Sequence, residues 1–464
     1  MHETCGIIGI YAREIDIARL TFFALFALQH RGQESAGIAV ADGAEVKIHT
    51  KTGLVSQAFS ESNLSQLKGH ISIGHTLYST KGSSKPANAQ PVIVSSQGKF
   101  IAVSHNGNII NANLLRETLI QKGYSFHSSN DSEVIANLIM ASPGKDWEDK
   151  TSSAMYRLQG AYSMTIMTAG KLIAVRDPMG VRPLCLGTVD GGYVIASESC
   201  AMDHIGARFS REVNPGEIVI IDETGIRSIT HKSHRKALCI FEYVYFARPD
   251  STIHGKLVYR TRQAMGESLA KEYPVEADIV IGIPDSATAA GIGYSKASGI
   301  PYCEGLIKNR YVGRTFIMPD QRLRDLGVRL KFNPLSELIA GKRLVVVDDS
   351  IVRGTTTPKI VALLRKAGAR EIHLRICCPP IRHPCFLGVD MAMEGELIAA
   401  RKSVSEIQEY LGVDSLGYLS LDGLLQSVGL PGDTLCQACF NNDYPIPVQT
   451  EIKQLVIEDE GEGA

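Results

Sequence analysis

Asp348 and Asp349 stand side by side at the end of the apolar run Leu344-Val345-Val346-Val347, and Ser350-Ile351-Val352-Arg353-Gly354-Thr355-Thr356 follow them. Adjacent carboxylates at the carboxyl end of a strand suit the 2- and 3-hydroxyls of a ribose, or a magnesium ion, which prefers carboxylates combined with substrate oxygens. The small and hydroxylic residues behind them offer backbone N–H groups and hydroxyls to a phosphate. A helix opening at Thr357-Pro358 would aim its positive end at the same place. Its apolar positions Ile360, Val361, Leu363, Leu364 and Ala367 keep helical spacing until Gly368. A plain crossover with a solvated acidic pair is the simpler alternative. The loop is neither a Walker loop, since no Gly-Lys-Ser/Thr follows, nor a dinucleotide loop, since Gly-x-Gly-x-x-Gly is missing.

A second group of chemically capable residues is scattered over the first third of the chain. Cys5 opens the segment Cys5-Gly6-Ile7-Ile8-Gly9-Ile10, and His30-Arg31-Gly32-Gln33-Glu34-Ser35, Gly74-His75-Thr76-Leu77-Tyr78-Ser79-Thr80, His105-Asn106-Gly107-Asn108 and Asn130-Asp131-Ser132-Glu133 come after it. Alone, the cysteine reads as a small buried hydrophobe and the other motifs as turns and caps. A third group is sulfur: Cys436 and Cys439 form a CxxC, and Cys239 and Cys385 lie far upstream. Four thiolates could hold a tetrahedral zinc or an iron–sulfur cluster, or could remain reduced and buried. Cys377 and Cys378 read as core in an apolar strand.

The elements that must position these groups follow from periodicity. Four apolar, mostly β-branched residues before Asp348 predict a strand buried on both faces, as in a parallel sheet. Asp278 to Ile283 predicts another, ending in Pro284-Asp285-Ser286, and 259–272 predicts a helix. In the first half, short strands alternate with turns up to a tight turn at Asn214-Pro215-Gly216-Glu217, and the charged stretch His231 to Lys236 is the expected boundary. At 464 residues the chain holds two or three domains. Ten cysteines with no secretory signal argue against a disulfide framework. Apolar runs are shorter than the roughly 18 residues of a membrane span, so a cytoplasmic protein with no membrane association is expected. With 48 basic against 49 acidic residues, no global field favours nucleic acid. Positive charge concentrates locally from Lys308-Asn309-Arg310 to Arg314, Arg324, Arg329 and Lys331, and the end of the chain is acidic.

Taken together, Cys5 and the four motifs behind it resemble the class II glutamine amidotransferases, whose glutaminase domain is an N-terminal-nucleophile αββα sandwich. The stretch Asp348–Thr356 looks like the phosphoribosylpyrophosphate (PRPP) loop of type I phosphoribosyltransferases, an α/β fold with a mainly parallel sheet. The two resemblances cover nearly the whole chain. They imply a propeptide over 1–4, a glutaminase domain over 5–235, a phosphoribosyltransferase domain over 236–449 and a disordered acidic tail over 450–464. Another class II amidotransferase would carry a sugar-isomerase or synthetase domain, which the Asp348–Thr356 loop excludes, and a PRPP-sensing regulator would need a DNA-binding appendage, which the sequence lacks.

What the resemblance implies for chemistry is specific. Cys5 would hydrolyse glutamine through a thioester, with its own freed α-amino group, pKa near ~8, as base. The Asn106 side chain and the Gly107 N–H, at an Asn-Gly turn, would hold the oxyanion. Arg31, Thr80 and Asp131 would bind glutamine. Ammonia would then pass to PRPP, giving 5-phosphoribosylamine, glutamate and pyrophosphate, the first step of purine (IMP) synthesis. PRPP would be held by Asp285, Lys308, Arg310, Asp348, Asp349, Ser350, Val352, Arg353, Gly354, Thr355 and Thr356. Magnesium would sit on Asp348 and Asp349, with Ser286 a weaker contact. Some family members carry a 4Fe-4S cluster, which Cys239, Cys385, Cys436 and Cys439 would ligate here. Purine-nucleotide inhibitors and a homotetramer are further expectations of this kind. One position departs from the pattern: where the family has an arginine gripping the glutamine α-carboxylate, this chain has Leu77. Losing such a charge-assisted hydrogen bond costs about 1.5–3 kcal/mol, roughly ten- to a hundred-fold in glutamine use, unless a neighbour such as Lys81 substitutes.

Overall fold

The computed structural model describes residues 5–43, 45–78, 86–232, 235–309, 331–389, 391 and 394–447. The expected propeptide, Thr80, Lys81, Arg310, most of the basic stretch and the acidic tail lie outside these residues.

The first half is built on two antiparallel sheets. One has the strand order Arg208–Glu212, Cys185–Val189, Gly192–Ala196, Gly6–Tyr11, Ile71–Leu77, Ser35–Ala41, Val46–Thr52. The other runs Gly225–Thr230, Glu217–Asp222, Leu172–Arg176, Gly160–Met167, Lys99–Ile109, Val92–Ser96. Gly6–Tyr11 has no polar face because both of its faces are covered. Ile7 joins Ile71, Ile73, Ala102, Met167 and Val219 between the sheets, while Ile8 and Ile10 pack outward with Leu25 and Met202 from the helices Ile17–Ala27 and Ser199–His204. On the outer face of the second sheet, Ile166 and Ile218 meet Leu119, Ile135 and Met155 from the helices Ala112–Gln121, Asp131–Ala141 and Trp147–Met155. The result is the αββα sandwich expected. The tight turn at Asn214 forms, with the Glu217 N–H donating to the Asn214 carbonyl at 3.0 Å, and it feeds the hairpin of Glu217–Asp222 and Gly225–Thr230.

The second half is organised by a four-stranded sheet, Ile279–Gly282, Arg343–Asp348, Glu371–Ile376, Ser415–Tyr418 in that order, with all neighbours parallel. Leu344, Val345, Val346 and Val347 are fully buried, as their lack of alternation requires. The helices Val258–Glu272, Thr288–Ser298 and Thr357–Lys366 supply Met265, Ala290 and Leu364 to the same core. Cys377 and Cys378 are buried as expected, but just past the end of Glu371–Ile376 rather than within a strand. The core of this half continues into the first through Ala161 and Val181. Among the described residues, no helix is long and apolar enough to cross a membrane.

Candidate active sites

Cys5 lies at the mouth of the first sheet, with its thiol 3.9 Å from the Tyr78 carbonyl. Burial pushes this thiol up to about 12; Asp131 raises it further, and Arg182 and Arg31 oppose the shift. At neutral pH the sulfur therefore keeps its proton, and a base must take it before attack. Asp131 opens the helix Asp131–Ala141. It accepts from His105 Nδ1 at 3.3 Å and from the Ile109 N–H at 3.1 Å. Burial works to raise its pKa, but the histidine and the N–H donors outweigh burial and hold it below the usual carboxylate range.

Asn106 and Gly107 do not form the turn that their dipeptide suggested. They lie inside Lys99–Ile109, paired without interruption through Asn106 to Ser163 and Gly107 to Tyr162. Backbone pairing to Gly160–Met167 on that flank leaves no room for a turn. The glycine is needed for another reason: its φ is +151°, and a β-carbon there would lie 1.9 Å from the Ala161 carbonyl oxygen. The Asn106 side chain is fully buried, and neither its nitrogen nor its oxygen has a hydrogen-bond partner. An unpaired buried amide is costly, and this one has both a donor and an acceptor left for a bound group.

Arg31 is placed differently from the expectation that it binds glutamine. Its Nε donates to Glu198, and its Nη2 donates to Glu242 Oε2 at 2.5 Å, with both carboxylates fully buried. A guanidinium held by two carboxylates is fixed in place beside the thiol. Glu198 also bonds His30 Nε2 at 2.6 Å, the Arg248 N–H at 2.8 Å and the Ser251 hydroxyl at 2.5 Å. Glu242, from the π-helical turn Glu242–Phe246, also faces Arg182 at 3.5 Å. Sequence motifs did not single out Glu198, Glu242 or Arg182 for this role. Leu77 ends its strand, nearly buried and paired with Ser35.

In the second half, Asp348 closes its strand, and the loop behind it ends at Thr356, the N-cap of Thr357–Lys366, with a proline in the first turn. Asp348 and Asp349 are both buried. Desolvation, then repulsion from Asp349, raises Asp348 well above the ordinary carboxylate range. Asp349 is also raised by burial, against hydrogen bonds from Ser286 and Ser350 and the charge of Arg262. The Ser286 side chain thus meets the pair at Asp349. Lys308 Nζ donates to Asp285 Oδ2 at 2.5 Å. Arg353 spends its Nε on Glu396 at 2.9 Å, so its guanidinium contacts a neighbouring helical turn; the loop offers its backbone instead. Gly354 has φ +68°, and a β-carbon there would strike Ile398 at 2.6 Å. Thr355 and Thr356 are exposed, and the Val352 carbonyl accepts from the Ile398 N–H at 3.0 Å. The paired acids, whose repulsion a divalent cation would relieve, fit magnesium.

Cys239, Cys385, Cys436 and Cys439 line one small cavity, with Phe241, Leu387, Val389 and Tyr444 around them. Cys239 and Cys436 are register partners in a short parallel ladder, and burial raises the Cys239, Cys436 and Cys439 thiols. Among the described residues, no three His, Cys, Asp or Glu side chains close on a single point as ligands of a lone ion would. Four thiols around one cavity could ligate either a cluster or a zinc ion.

Residues 78–204 match the glutamine amidotransferase domain family. Over 97% of its length the chain is 50% identical to the amidophosphoribosyltransferase of Synechococcus elongatus, 93% of which is covered. A solved structure described as the allosteric regulatory enzyme of purine biosynthesis superposes with a TM-score of 0.92 at 45% identity, covering 97% of both chains. The glutamine PRPP amidotransferase of B. subtilis, complexed with ADP and GMP, superposes with a TM-score of 0.91 at 44% identity, covering 96% of this chain and 98% of that one.

The buried acid pair has a measurable signature. A folded-state pKa raised above the unfolded value means that the folded protein holds a proton the unfolded chain gives up, so stability falls as pH rises through that interval. Asp348→Asn removes that loss. In metal-free protein it is expected to unfold later than wild type at pH 8, by about 1.4 kcal/mol for each pH unit of the interval, and no later at pH 4. Denaturant titrations at the two pH values check this.

Proposed function

The chain belongs to the amidophosphoribosyltransferases, glutamine-dependent transferases of purine biosynthesis, and from that premise we propose how its own residues divide the work. The observation that carries the reading is the unpartnered Asn106 amide, buried on the strand next to Gly107 and flanked by Asp131, whose charge acts on the Cys5 thiol. Cys5 sulfur gives up its proton to the base and bonds to the amide carbon of glutamine. The carbonyl oxygen becomes an oxyanion facing Asn106 and Gly107, the C–N bond breaks and ammonia leaves. Water then cleaves the thioester to glutamate. Asp131 receives the substrate's α-amino group, and its depressed pKa keeps it anionic for that task.

Burial raises the thiol and its sulfur contacts a carbonyl, which is no base, so a base must come from elsewhere; the family resemblance assigns that role to the α-amino group of Cys5. Cleavage between Thr4 and Cys5 follows. In the second half, Asp348 and Asp349 hold the ribose hydroxyls of PRPP and the loop to Thr356 receives its 5-phosphate, while Lys308 and Asp285 lie toward the pyrophosphate. Magnesium on the acid pair would offset leaving-group charge when bound. Ammonia attacks carbon 1 of PRPP, the C–O bond breaks, and pyrophosphate departs. The four cysteines would ligate a 4Fe-4S cluster with a structural role, since neither reaction moves electrons. The complex of the B. subtilis relative with ADP and GMP supports purine nucleotides as regulators here too.

Three measurements test this reading. Cys5→Ala is expected to abolish PRPP-dependent pyrophosphate release with glutamine and to keep it with ammonia; loss of both, or of neither, rejects the division of labour. Native protein purified without oxygen is expected to begin at Cys5 by intact mass and to carry about four irons; an active enzyme that begins at Met1, or colourless zinc protein, contradicts it. Leu77→Arg is expected to raise kcat/KM for glutamine by roughly tenfold or more and leave the ammonia reaction unchanged. Equal use of glutamine by the two proteins sinks that explanation of the departure.

A further inference from the structure

The segment Phe386–Gly388 of the second half lies directly against the strand that carries Asn106 and Gly107. Asn108 Nδ2 donates to the Phe386 carbonyl at 3.0 Å. Arg182 Nη2 donates to the Leu387 carbonyl at 2.7 Å. Gly388 has φ +97°, and a β-carbon there would lie 2.9 Å from the Gly107 carbonyl carbon, 3.1 Å from Gly107 Cα and 3.2 Å from Arg182 Nη2. On its other flank Gly107 is pressed against the Ala161 carbonyl, as described above. Gly107 is therefore held between two backbones, one from each half of the chain. The segment is itself anchored, since the Leu387 N–H donates to Cys385 Sγ at 3.4 Å.

Oxyanion donors work because they are already aligned when charge develops. Neither donor here is aligned by its own side-chain contacts: Gly107 has no side chain, and Asn106 has no hydrogen-bond partner for its amide. Alignment must come from the flanks. We propose that Phe386–Gly388 is a buttress that fixes the Asn106 and Gly107 donors, with Asn108, Arg182 and Gly388 as positioning residues for glutamine hydrolysis. The inference rests on the oxyanion reading above and adds that the second half of the chain sets the geometry of the first site.

The test uses the full-length enzyme with Gly388→Ala and Asn108→Ala. Glutamine hydrolysis, PRPP-dependent use of ammonia, and the binding of glutamate γ-semialdehyde and of glutamate are measured side by side. The aldehyde forms a tetrahedral adduct with the thiol and reads the oxyanion donors; glutamate does not. Displacement of Gly107 by Gly388→Ala is expected to lower glutaminase kcat on the order of 10²-fold, with KM for glutamine held. For Asn108→Ala the expected drop is roughly 2- to 10-fold. Aldehyde affinity is expected to fall by the same factors, with glutamate affinity and the ammonia reaction unchanged. Wild-type kcat and aldehyde affinity in both variants overturn the buttress. If Gly388→Ala loses the ammonia reaction as well, it has misfolded and Asn108→Ala decides: unchanged kcat and aldehyde affinity there overturn the proposal. A wild-type enzyme unable to hydrolyse glutamine would instead remove the reading on which the proposal rests.

Discussion

The contact on which the molecule depends is the buried ion cluster of Arg31, Glu198 and Glu242. Charges taken wholly out of water are tolerated only when every one is matched in place, and removing one partner strands the others. Here the matching is done across the boundary between the halves. Arg31 and Glu198 come from the sandwich, Glu242 and the Ser251 hydroxyl from beyond it, so Glu242 finds its cations only in the other half and Arg31 its second carboxylate there. Apolar packing through Ala161 and Val181 is forgiving about exact position; the ion cluster is not. It fixes the two halves in register and sets a cation beside the Cys5 thiol at the same time.

The same turn carries the constraint onward. Glu242 holds Arg31, and the carbonyl of the next residue, Tyr243, accepts from Arg262 Nε at 2.8 Å. The charge of Arg262 in turn opposes the upward shift of the buried Asp349 in the second site. One π-helical turn, a geometry often found where function demands it, thus has a buried contact toward each reaction centre.

How much of this was legible in the sequence depended on the range of the cause. The strand, acid pair and helix start around Asp348–Thr357 were readable because their determinants are local: apolar continuity, a proline in the first turn, a glycine stop. The αββα sandwich was reachable only through the resemblance, since strands such as Gly6–Tyr11 show no alternation when both faces are buried. The carboxylates that hold Arg31 were not legible because they lie 167 and 211 residues away, where no spacing rule reaches. Asn106-Gly107 was misjudged for the opposite reason. The dipeptide carries a strong local turn preference, and sheet pairing on its flank overrode it. The glycine there answers to a neighbouring backbone instead of to a turn.

The two centres store opposite deficits. Around Cys5, the buried side-chain atoms without a hydrogen-bond partner include the Asn106 amide and Arg182 Nε. At the phosphate loop, the buried Asp348 and Asp349 are acceptors short of positive charge. Each deficit costs stability in the empty protein, and in the reading proposed above each would be cancelled by its own reacting species: an oxyanion at the first, a cation-bearing phosphate ester at the second. Interactions completed late in the reaction lower its barrier, whereas those completed on first encounter only tighten binding. A chain that keeps these deficits apart, yet ties both to one buried ion cluster, can leave both centres strained without letting the halves drift.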